Sequence, residues 1–158
     1  MRRDFITHLG YRQTIIPAVI SATKISSLID AQGTYGTGHV VSLGTPTGTL
    51  DGTNYLRLVL QEGDLADGSD MAPVADNNAL QGAELVEGEA AGTFAVINDA
   101  NQVDDAFRVG YRGCKRYTRV VVEYVGTAAT VGDVGVSAIG LLKDTEYPAA
   151  DQPAQTGL

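Results

Sequence analysis

Tryptophan is absent from this chain of 158 residues, and aromatic residues as a whole make up only 6%. Sugar-binding grooves are usually floored by flat aromatic rings, so a lectin or glycosidase is disfavoured. Cysteine occurs once, at Cys114. No internal disulfide can form, and a fold made in a reducing cytosol is expected. The lone thiol is expected to be a small buried group. With only His8, His39 and Cys114 available, three or four converging zinc ligands cannot be assembled from the usual nitrogen and sulfur donors. No Gly-x-Ser-x-Gly elbow and no phosphate-binding Gly-x-x-x-x-Gly-Lys-Ser/Thr run is present. The residues offer no catalytic site and call for no cofactor.

Positive charge is scarce as well. Eleven Lys and Arg stand against 19 Asp and Glu, for a net charge of −8. Nucleic-acid binding needs clustered cations to neutralise phosphates, so that class is disfavoured. Long apolar runs are missing: no window approaches the ~18 residues of a membrane span. Arg2 and Arg3 imitate the start of a signal peptide, but Asp4, Thr7, His8, Arg12 and Gln13 interrupt the apolar stretch that should follow. A soluble chain, not exported by that route, is expected.

What is abundant is glycine, at 19 residues, set between short β-branched runs. The length favours one domain able to bury a core without metal or disulfides. Residues 1–13 are unpatterned and read as an arm. The run Ile15–Ala22 contains Pro17, which cannot donate to a sheet ladder, so it should be an edge strand. His39–Leu43 is a short strand between glycine-rich loops. In Tyr55–Glu62, Leu56, Leu58 and Leu60 share one face while Tyr55, Arg57, Val59 and Gln61 take the other. Leu80–Val86 is a weak strand. Thr93–Asn98 should alternate Phe94 and Val96 against Ala95 and Ile97. Ala106–Tyr111 places Phe107, Val109 and Tyr111 together, Lys115–Val125 is the strongest strand, and Val134–Leu142 closes the set. Residues 144–158, with Pro148 and Pro153, read as an extended tail. About eight strands spaced by turns and no convincing internal helix predict an all-β sandwich or barrel.

Two charged features stand out. The acidic loop 62–70 holds Glu62, Asp64, Asp67 and Asp70, but its three-residue spacing departs from an EF-hand, and a solvated hairpin loop is favoured over a calcium site. Arg108, Arg112, Lys115, Arg116 and Arg119 hold five of the eleven positive charges within twelve residues. They could form cross-strand pairs with acidic side chains or a local patch that docks on an acidic partner. Tyr111 and Tyr117 are expected to pack rather than to make contacts.

The stretch Phe107-Arg108-Val109-Gly110-Tyr111-Arg112-Gly113-Cys114-Lys115-Arg116-Tyr117-Thr118-Arg119-Val120-Val121, followed by Gly126-Thr127 and Val136-Ser137-Ala138, resembles a segment of tailed-phage capsid cement (decoration) proteins, like those of a Bordetella podophage. The resemblance extends over about residues 54–143 and departs in the acidic loop and the arm. It implies a jelly-roll-like β-sandwich on the capsid exterior, made in the host cytoplasm. It implies clamping of neighbouring major capsid subunits, with a self-associated state in which a dimer is favoured and a trimer is possible. The expected contacts are Arg2, Arg3 and Phe5 in the arm and Arg112, Lys115 and Arg116 at the motif, with no metal, nucleic-acid or membrane partner. Other virion parts, such as a tail or head–tail joining protein, and a β-sandwich ligand-binding module or small hydrolase, remain as alternatives.

Overall fold

Alternation of apolar and polar residues commits most of the chain to strands that each bury one side. In the computed structural model, which describes residues 9–143, these are β1 (Leu9–Ile20), β2 (Lys24–Ile25), β3 (Ile29–Asp30), β4 (Gly36–Leu43), β5 (Tyr55–Gly63), β6 (Ala72–Pro73), β7 (Leu80–Gln81), β8 (Thr93–Ile97), β9 (Asp105–Tyr111), β10 (Tyr117–Val125) and β11 (Val134–Lys143). A single helical turn, α1 (Ala128–Val131), sits between β10 and β11.

The strands form two antiparallel sheets. One has the order β1-β11-β4-β9-β7. In the other, β10 and β5 lie side by side, with β2 and β3 along the far side of β10 and β6 and β8 along the far side of β5. β2 and β3 meet β10 in succession, at Val121–Val122 and then at Tyr117–Thr118, so together they act as one interrupted strand. Counted this way, and leaving aside the short β6 and β7, the principal pairs are nested. The first strand pairs with the last (β1 with β11) and the second with the seventh (β2/β3 with β10). The third pairs with the sixth (β4 with β9) and the fourth with the fifth (β5 with β8). Alternate pairs fall in opposite sheets. This is one long hairpin rolled over itself, the wrapping of a jelly roll, and it meets the expected sandwich.

The core lies between the sheets. Leu56, Leu58 and Leu60 from β5 face Val41, Leu43 and Val136 across it, all buried. Full burial of each such side chain contributes about 1.5–3 kcal/mol. Pro17 lies on an edge strand, as expected, and inside an irregular stretch: the β1–β11 register slips between Gln13 and Ile15 and again between Ile15 and Ala18. The missing N–H costs nothing where the ladder is already broken.

Several boundaries differ from the sequence reading. Leu9–Gln13, expected in the arm, are the start of β1 and pair with Ile139–Lys143. Of Leu80–Val86 only Leu80–Gln81 is strand, because Gly82 takes φ +72 and turns the chain. In β8, Phe94 and Ile97 are both buried although their parity differs; a register shift opposite Leu58 and Val59 inserts the extra residue. Lys115 and Arg116 precede β10 rather than belonging to it. Arg2, Arg3, Phe5 and the expected tail 144–158 lie outside the described residues.

Candidate functional site: the motif corner and the outer sheet faces

Tyr111 ends β9 and Tyr117 begins β10, so the segment between them, Arg112–Arg116, crosses from one sheet to the other. Both tyrosines are buried. The Tyr111 hydroxyl donates to the Glu62 carboxylate, and the Lys115 backbone N–H donates to that hydroxyl at 3.0 Å. Burial, then the Glu62 bond, pushes the Tyr111 phenol well above its ordinary range. This tyrosine stays neutral and acts as a post on which the corner turns.

The cations of the corner are turned back onto the chain. Lys115 Nζ lies 2.6 Å from Asp64 Oδ2. Arg116 grips Asp30 through Nε at 3.0 Å and Nη2 at 2.8 Å, and its guanidinium stacks 5.0 Å from the centre of the Tyr117 ring. Hydrogen bonds from Arg116 and Gln32 hold the Asp30 carboxyl below its ordinary value against the opposing effect of burial. The Lys115 ammonium does the same for Asp64. Arg112 donates from Nε to the Asn78 carbonyl at 2.6 Å. Two of the three expected motif contacts therefore already hold acidic side chains of their own molecule. Such half-exposed pairs add little stability; their effect is to fix the corner against β3 and the loop after β5. Cys114, expected to be buried, is exposed on this corner, because the segment leaves the sheet before reaching it. A groove of about 430 Å³ runs past it, lined by Tyr35, Thr37, Tyr111, Arg112, Cys114 and Arg116 among others.

The acidic loop also spends its carboxylates at home. Asp70 accepts from the backbone N–H groups of Asp64 and Leu65, and Asp67 from that of Ser69. No cluster suited to a metal ion is found among the described residues.

The outer faces of the two sheets differ. On the six-stranded sheet, Arg57 faces Glu123 across the β5–β10 pair, with Nε–Oε2 at 2.8 Å, and reaches Glu89 at 3.4 Å. Tyr55 donates to Glu89. Val59 and Val121, which parity directs outward, are nonetheless buried; the backbone of Gly92 comes close to the Val59 side chain.

On the five-stranded sheet the registers align Gln13, Ile139, Val40 and Arg108 in one outward row. Tyr11, Leu141, Gly38 and Gly110 form the next. The charged side chains that the pairing directs outward here, among the described residues, are Arg108 and Lys143. Asp105 shares parity with inward-facing Leu43 and sits at the strand's end. Beside these rows a shallow groove of about 530 Å³ is lined by Pro17, Ala18, Val19, Ser42, Gly135 and Ser137 among others. Sequence reasoning missed this face because its residues come from strands far apart in the chain; no short motif marks it.

No protein-family model matches the chain, and no curated protein matches it. Among solved structures, the chain is similar to the SPBc2 prophage-derived protein YomS, at 10% identity and a TM-score of 0.38, covering 84% of this chain and 92% of that one. It is also similar to the infectious bursal disease virus VP2 subviral particle, at 14% identity and a TM-score of 0.27, covering 85% of this chain and 40% of that one. One neighbour is thus described as prophage-derived and the other as a viral particle, and likenesses this distant carry no argument about what this chain binds.

Proposed function

We propose that this chain is a phage virion structural protein, a capsid cement protein that binds the outer surface of the shell and clamps neighbouring major capsid subunits without catalysing a reaction. The observation that carries this is the motif segment 107–121, whose resemblance implies a jelly-roll-like sandwich, set in a chain whose strands wrap as one. Tyr111, Glu62, Lys115, Asp64, Arg116 and Asp30 give that segment a structural role: they lock the crossing between sheets. The exterior location and the self-associated state, with a dimer favoured, belong to the same proposal. Many weak contacts repeated by shell symmetry would give lasting attachment through avidity.

Cosedimentation with shells of the encoding phage tests it. The protein is expected to bind expanded, mature shells saturably and unexpanded procapsids at least tenfold more weakly. Equal binding to both, or binding to neither, would overturn the clamp.

A further inference from the structure

The last strand, β11, ends at Lys143, beside the corner that carries the motif. The Lys143 carbonyl accepts from the Tyr35 N–H at 3.1 Å, and Lys143 pairs with Gly36 in the β4–β11 ladder. On the other side of β4, Thr37 pairs with Tyr111. Adjacent strands lie about 4.8 Å apart, so Tyr111 is about 10 Å from Lys143, a span that about three extended residues cover. Whatever follows Lys143 therefore starts next to the groove of about 430 Å³, which Tyr35, Gly36, Thr37, Tyr111, Arg112 and Arg116 help to line.

The groove has a chemistry of its own. Its described lining includes Arg112, Lys115 and Arg116 and no Asp or Glu. Lys115 and Arg116 each hold a carboxylate from outside that lining, Asp64 and Asp30. Arg112 is exposed, spends Nε on the Asn78 carbonyl and makes no ion pair among the described residues. Tyr35 is 77% exposed. The groove thus offers an exposed ring and an unpaired guanidinium together.

We infer that this groove is the seat of the chain's own segment 144–158. That segment carries Asp144, Glu146 and Asp151 and no Lys or Arg. Its carboxylates are the groups that meet Arg112, and Tyr147 supplies an apolar ring to the same groove. Pro148 and Pro153 fix φ near about −65°, so less chain entropy is lost on seating. Residues 1–8 also begin close by, since Leu9 pairs with Lys143. However, β1 lies on the side of β11 away from β4, and Arg2 and Arg3 outnumber Asp4. Place and charge both select the segment after Lys143. A tethered segment meets its own groove at an effective concentration on the order of millimolar, which favours seating within one molecule over exchange between copies. Once seated, the segment shields Cys114 and occupies Arg112, so an acidic surface of another protein has to displace it to reach the motif corner. The seating stands or falls independently of the proposed capsid role.

Cys114 is the chain's single thiol and lies exposed in the groove lining, so its alkylation by N-ethylmaleimide reports on the seat. Rates are compared at their high-pH limit, where the ionisation of the thiol no longer differs between variants. In the full chain, Asp144→Asn combined with Glu146→Gln is expected to speed alkylation at least fivefold. Arg112→Gln should do the same, with no further gain when the three substitutions are combined, because both remove one interaction. Lys24→Gln, at a cation on β2 of the other sheet, should leave the rate at the parental value. The parental rate should stay constant over a hundredfold range of protein concentration. If Arg112→Gln melts well below the parent, the variant in segment 144–158 alone decides. Equal rates in the parent and that variant would overturn the seating. So would an Arg112→Gln effect that persists undiminished when Asp144 and Glu146 are already neutral, since it would reflect a distorted corner rather than a lost pair. Protection that rises with protein concentration would put the segment on a neighbouring copy and overturn seating within one molecule.

Discussion

Acidification from pH 6.5 to pH 4 is expected to remove roughly 3 kcal/mol of stability from the folded chain through a single group, His39. His39 is 1% exposed. It projects inward from β4, and its Nε2 lies 2.9 Å from Thr118 Oγ1 on β10 of the opposite sheet. Thr37 Oγ1 lies 3.4 Å from the same hydroxyl. This is a polar tie across the sandwich, and the other ring nitrogen, Nδ1, has no hydrogen-bond partner among the described residues. Its neighbours across the strands are Val109 and Gly140, neither of which carries a charge.

Removal from water lowers the imidazole from 6.5 to about 4. The sign follows directly. Between those values the unfolded chain takes up a proton that the folded chain refuses, so acid favours unfolding. The stabilisation is complete above the unfolded value, is lost as the pH falls toward about 4, and does not change further below it. Asp30, Asp64 and Asp67 are lowered beneath 3.8, and hydrogen bonds from Thr53 and Asn54 hold Asp51 near 2. Their losses come at lower pH, so the windows separate. Urea unfolding measured at pH 7 and pH 4.5 checks this, with His39→Leu as the comparison. The parent should weaken markedly between the two and the variant only slightly. Parallel losses in both would place the acid sensitivity elsewhere.

Replacing Leu58 with alanine is expected to cost about 2–5 kcal/mol. The side chain is fully buried, at 0% exposure. It lies on β5 with Val122 of β10 on one side and Ala95 of β8 on the other. Strands held on both flanks cannot close over a void, so both the lost transfer energy and the cavity contribute. The melting midpoint should fall by roughly 10 °C. Ile16→Ala, at a residue 76% exposed on the β1 edge, should change stability by less than about 0.5 kcal/mol. An equal loss from the two substitutions would mean that the core is not where the alternation puts it.

Alternation made the central strands legible from sequence. Leu56, Leu58 and Leu60 are buried as their spacing requires, and Pro17 marked an edge. The failures share a cause: they depend on partners distant in the chain. Leu9–Gln13 looked unpatterned because its order comes from Ile139–Lys143. The alternation of β8 broke where β5 slips its register. Val59 has the parity of an outward residue, but Gly92, whose backbone comes close to its side chain, lies far along the chain. At the corner, the cationic motif was legible, and pairing with acidic side chains was one of the two expectations for it. That those acids would be Asp30, on the short β3 beside β10, and Asp64, in the loop after β5, could not be read from spacing. His39 offered a weak signal: it begins the run His39-Val40-Val41-Ser42-Leu43 in phase with Val41 and Leu43, both buried. Its hydroxyl partner, Thr118, came only with the fold.

The composition of purified virions tests the central claim most directly. Mass spectrometry and gel densitometry of gradient-purified particles should find this chain in a fixed ratio to the major capsid protein, retained after tails are removed and released only when shells are disrupted or stripped. Particles that lack the chain, or that carry it only with the tail fraction, would contradict a cement protein of the capsid.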